Sequence, residues 1–146
     1  MRDPAIIIRL DGPRRTYQPG EELAGSCHWE LDPQEQVRRV EISVLWYTEG
    51  KGEEDFAVHY FQPVSAQAGQ ELQGPLRFRT PLPHAPLTYE GVILKLYWCV
   101  RVRLFLRHGG QVVQERPFRL GNVPRGRPAQ EPPLWPQLAD PPEQEP

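Results

Sequence analysis

Residues 81–106, PLPHAPLTYEGVILKLYWCVRVRLFL, decide the fold. A proline-punctuated approach, LPHAPLTYEG, leads into residues 92–106, which contain neither glycine nor proline. Leu94, Leu96, Trp98, Val100, Val102 and Leu104 share one parity of that run. Lys95, Tyr97, Cys99, Arg101 and Arg103 share the other. Successive side chains of a strand point to opposite faces, so the first set makes a core face and the second a mostly wet one. A helix would scatter both sets around its circumference. The run predicts a long strand in a half-solvated antiparallel sheet, and hence an all-β domain.

The rest of the chain supplies partners for that strand. Residues 5–10 (AIIIRL) predict a first strand, ended by Asp11-Gly12-Pro13. Pro19-Gly20 marks a turn before a second alternating run, 23–31, with Leu23, Gly25, Cys27, Trp29 and Leu31 on one parity. Residues 37–48 turn Val40, Ile42, Val44 and Trp46 inward and Arg39, Glu41 and Ser43 outward. A polar loop, 49–55, separates this run from a strand over 56–61. A weaker strand follows over 72–80. After the long strand come a tight connection at His108-Gly109-Gly110 and a closing strand over 112–120. Seven or eight strands with frequent turn signals describe an immunoglobulin-like antiparallel β-sandwich.

The sandwich accounts for residues 1–121. Over 122–146 prolines dominate and aliphatic residues nearly vanish, a composition that cannot form a core, so this reads as a flexible, disordered tail. A chain of 146 residues fits one such domain. The formal net charge of −2 gives no general attraction for nucleic acid. No stretch approaches the roughly 20 apolar residues of a membrane span, and the short apolar run near the N-terminus falls short of a secretory signal. With two cysteines and no such signal, the expected location is the cytoplasm.

Two separated motifs resemble the arrestin N-terminal domain family. Tyr17-Gln18-Pro19-Gly20-Glu21, with Leu23 and Gly25, is similar to its "Y-x-P-G-E-x-(apolar)-x-G" opening. Leu82, Pro83, Pro86, Thr88, Tyr89, Glu90 and Gly91 are similar to the family's later "LP…P-(S/T)-Y/F-E-G" that precedes a long strand. The resemblance covers residues 5–121. It implies an arrestin-like sandwich used as a protein-binding scaffold without catalysis. Members usually carry two sandwiches, and this chain has room for one. The PPxY motif of the family's trafficking adaptors is also absent, since Pro132-Pro133-Leu134-Trp135-Pro136 lacks the tyrosine.

Catalytic and metal signatures do not assemble. Cys27 and His28 are adjacent on a strand and face opposite ways. His59, His84 and His108 are isolated, without metal-ligand spacing. His108-Gly109-Gly110 has no nucleophile elbow to serve, and the acidic loop over 49–55 lacks the alternating ligands of a calcium site. No cofactor is expected. A Cys27–Cys99 disulfide of the immunoglobulin type is disfavoured, because Cys99 falls on the outward parity.

Two features suit binding. Lys95, Arg101 and Arg103, with Arg107 beyond and Arg116 from the closing strand, form a basic stripe able to hold an acidic or phosphorylated peptide. The competing reading is a charged sheet face balanced by acids such as Glu41. In the tail, Pro133, Trp135 and Pro136 fit a P-x-x-P extended helix that aromatic grooves recognise. The expectation is a non-catalytic interaction or scaffold module that binds a protein or peptide, or a second copy of itself, through a sheet edge or its outer face. A structural subunit of a larger homo-oligomer is the alternative, and a β-sandwich hydrolase or metal enzyme ranks third.

Overall fold

A computed structural model of the chain describes residues 3–124 apart from Glu53. The described residues form strands β1 (Ala5–Leu10), β2 (Thr16–Tyr17), β3 (Glu22–Glu30), β4 (Val37–Gly50), β5 (Phe56–Ser65), β6 (Leu76–Pro81), β7 (Tyr89–Glu90), β8 (Leu94–Leu106) and β9 (Gln111–Leu120), with no helix. One sheet has the order β1-β3-β6. The other runs β2-β9-β8-β4-β5, with β7 on β8. All pairings are antiparallel except the short parallel one of β2 with β9. The all-β sandwich expected from the sequence is the observed fold.

Alternation explains which side of each strand meets the other sheet. Ile6, Ile8, Leu10, Leu23, Cys27 and Phe78 from the small sheet pack with Val40, Ile42, Val44, Trp98, Val100, Val102, Leu104, Phe118 and Leu120 from the large one. Each such side chain removed from water contributes roughly 1.5–3 kcal/mol. Trp98 anchors an aromatic group, with Phe118 at 5.9 Å and Tyr17 edge-on to Phe118 at 5.7 Å.

The alternation fails at the leading end of β8. Val92, Ile93 and Leu94 are 47%, 68% and 37% exposed, because the Gly91 amide donates to the Leu94 carbonyl and bends the chain into a tip. The strand expected from residue 72 begins at Leu76 instead. Arg116 does not join the outward stripe: it lies opposite inward-facing Val100 and donates to the Ile8 carbonyl across the sandwich. The two cysteines are free and on opposite faces, Cys27 in the core and Cys99 level with outward-facing Leu45.

Beside β4, the edge strand β5 carries an irregularity. Leu45 pairs with Val58 and Val44 with Tyr60, so His59 is an extra residue. The bulge turns His59 toward the small sheet, where Nε2–H donates to the Pro81 carbonyl at 2.7 Å. It also resets the parity, so that Phe56, Val58 and Phe61 all stand on the outer face. Pro63, opposite Glu41, has no N–H to offer a further strand.

The two family-like motifs meet in space. Gly20, at φ +86°, donates its amide to the Leu82 carbonyl, and the Leu82 amide donates to the Glu21 carbonyl at 2.8 Å. The Glu21 carboxylate accepts from the Gln18 amide and from Arg14, and the first of these does most to hold its pKa below the ordinary value. Thr88, buried, accepts the Leu120 amide at its hydroxyl while donating its own amide to the Leu120 carbonyl. Both motifs thus clamp one end of the sandwich, which is a structural role.

Candidate functional site

The register of the large sheet builds its outer face in rows. Phe56, Tyr47 and Tyr97 lie side by side across β5, β4 and β8. Next to them come Val58, Leu45, Cys99 and Pro117, then Phe61, Ser43, Arg101 and Glu115. The first two rows are apolar or aromatic, although they lie on the face that alternation marks as wet. Leu45 and Cys99 are each only 2% exposed, covered by their own neighbours.

A groove of about 430 Å³ opens here, lined by Leu45, Tyr47, Thr48, Glu54, Asp55, Phe56 and Arg101. Tyr47 makes one wall, and Tyr97 stands beside it with ring centroids 5.5 Å apart. Burial pushes the Tyr47 hydroxyl above its ordinary pKa, so it remains a proton donor at neutral pH. The rim beyond Phe56 is fixed by Asp55, whose carboxylate accepts the Phe56 amide at 2.8 Å while its own amide donates to the Thr48 hydroxyl. Phe56 (65% exposed) and Phe61 (50%) are left uncovered along the β5 side.

The basic stripe does not converge. From Lys95 to Arg107 it extends roughly 40 Å at strand rise. Arg101 donates from Nε and Nη2 to the Glu115 carboxylate, at 2.8 and 2.7 Å. Arg103 donates to Gln111, and Arg107, past the strand end, to Gln36. Glu41 lies opposite Arg103 and pairs with Arg39. Lys95 is exposed, opposite Glu49 and Glu90 in register. Arg101 alone of the four lines the groove. Pro133, Trp135 and Pro136 lie outside the described residues.

The groove's aromatic residues escaped the sequence reading as a site. Their signal was present: Tyr47 and Tyr97 are large aromatics on the outward parity of two long strands. What one strand cannot reveal is that they are neighbours. The described residues hold no cluster of three or more histidine, cysteine or acidic side chains placed for a metal, and no helix long and apolar enough to cross a membrane. Both thiols are driven up by burial, Cys27 to about 11 and Cys99 to about 12, and so stay protonated.

No family model matches the chain, and no curated protein matches it in sequence. A solved structure does match: Spo0M, a sporulation control protein from Bacillus subtilis, with a TM-score of 0.60 at 19% identity over 84% of this chain. The fold is an arrestin-like β-sandwich. This chain spans about half of Spo0M, 51% of its length.

Proposed function

We propose that this arrestin-like domain is a non-catalytic interaction module whose outer sheet face receives an extended apolar segment of a protein partner. The observation that carries the reading is the groove itself: an apolar floor at Leu45 and an aromatic wall at Tyr47, continued by uncovered Phe56. Aromatic-lined grooves suit extended, proline-containing chains, whose backbone is already ordered and whose rings stack on tyrosine and phenylalanine. The neighbouring β5 edge is a poorer site for added strands, because the His59 bulge and Pro63 break its hydrogen-bonding row. The likeness to Spo0M supports the fold of such a module.

The test is fluorescence polarisation with labelled synthetic peptides that alternate proline with aliphatic or aromatic residues, against an acidic control. Binding weakened about tenfold by Phe56→Ser, or about 1.4 kcal/mol, is the expected result. Equal binding of the control, or indifference to the substitution, would overturn the reading. Phe56 is exposed, so its replacement leaves the core intact.

A further inference from the structure

Building on that reading of the groove, we propose that its resident occupant is the chain's own segment Pro132-Pro133-Leu134-Trp135-Pro136, docked in cis and displaced when a partner binds. The chain leaves the described residues just past β9. Phe118 and Leu120 point into the core, so Arg119 between them stands on the outer face. Its Nη2 donates to the Val123 carbonyl at 3.1 Å, and Nη1 pairs with Glu90. This double hold brings the departing backbone to the outer face at the β9 side. Trp98 is paired with Phe118, so Arg119 is level with Tyr97.

From Arg119, the row Tyr97, Tyr47, Phe56 leads straight across the sheet into the groove. The crossing takes three strand spacings, roughly 14 Å. Pro132 lies nine residue steps beyond Val123, and at about 3.1 Å per step in an extended proline helix they reach roughly 28 Å. The slack suffices for the path to curve over the surface.

Chemistry selects the segment as well as reach. Residues 132–136 combine three prolines, a leucine and the tail's one tryptophan, the apolar, pre-extended type that an aromatic wall accepts. Three of the tail's four acids come later, at Asp140, Glu143 and Glu145, and the fourth, Glu131, precedes the segment, so residues 132–136 themselves carry no charge to oppose the acidic rim at Glu54 and Asp55. A short tether gives an effective concentration on the order of millimolar, so even a weak intrinsic contact stays closed in cis. A partner then has to compete, and the tail sets the threshold for its binding.

The experiment uses the full chain with a nitroxide attached at Gln137→Cys. Cys27 and Cys99 are 0% and 2% exposed, which directs the label to the new thiol. Docking predicts that the amide signals of Tyr47, Phe56 and Tyr97 lose most of their NMR intensity in the oxidised state. Adding Trp135→Ala should restore them. Loss no greater than at Ile7 on the other sheet, or loss unaffected by Trp135→Ala, overturns the proposal. Loss seen when labelled chains are mixed with isotope-labelled, nitroxide-free ones also overturns it, since the contact would then be between copies. If no docking appears while the synthetic peptides still bind through Phe56, only the cis occupant falls. If the peptides fail too, the groove reading falls with it.

Discussion

The indole N–H of Trp98 donates to the Pro86 carbonyl at 2.8 Å, joining the centre of β8 to the loop that precedes it. Trp98 is 1% exposed, so its N–H has no water as a substitute. Trp98→Phe keeps an aromatic ring but leaves the carbonyl unpaired and part of the site empty. The expected loss of stability is roughly 2–4 kcal/mol, read from the urea midpoint by circular dichroism. An unchanged midpoint would show that the loop is held by other contacts.

Gly25 is required by closeness and not by its dihedral angles. A Cβ there would stand 2.3 Å from the Arg9 carbonyl oxygen and 2.8 Å from Phe78. Gly25→Ala must therefore push β1 from β3 or displace a core ring, and about 2 kcal/mol or more should be lost. Gly12, at φ +76° with nothing within 4 Å, is the control: alanine there meets only backbone strain, about 1 kcal/mol. Equal effects at the two sites would refute the packing argument.

The thiols predict alkaline sensitivity. Burial raises Cys27 from 9.0 to about 11 and Cys99 to about 12, so the folded chain keeps protons that the unfolded chain gives up. The stability this provides is complete below pH 9 and drains away as pH climbs through 11. Denaturation midpoints should fall over that window, and Cys99→Ala should flatten the fall. At pH 8 a thiol reagent should label neither cysteine until denaturant is added.

Ion pairs should differ by position. Arg79–Glu22 is exposed on both sides, 73% and 50%, and Arg79→Ala should leave stability nearly unchanged. Arg119 is half-buried and bonds both Glu90 and the Val123 carbonyl. Arg119→Ala should cost about 1–2 kcal/mol and depend less on salt. Thermal melts at low and high ionic strength would separate the two cases, and similar values would contradict the distinction.

Much of the fold could be read because burial enforces alternation. In β8, Trp98, Val100, Val102 and Leu104 take the core face that their spacing requires. The pattern misled where apolar character and burial part company, at Leu94, which its spacing put on the core face and which is 37% exposed, since a turn bond and not composition sets the strand's start. The two-residue strands β2 and β7 carry too few residues for any period. The candidate groove was less legible. It depends on β4 and β8 placing Tyr47 beside Tyr97, and on the extra residue at His59 that brings Phe61 to the same side as Phe56 and Val58. Register between strands and a one-residue slip are properties of pairs, and no single run of sequence contains them.

The clasp between Gly20 and Leu82 joins points 62 residues apart (82 − 20), with β3, β4, β5 and β6 in between. Closing so large a loop sacrifices chain freedom before any local turn repays it, which places this contact late on the route to the native state. Assembly on the millisecond-to-second scale is the natural tempo for such a topology. A nascent chain released before residue 82 emerges would lack the piece that seals its first strands, and its greasy interior would be open to whatever it met.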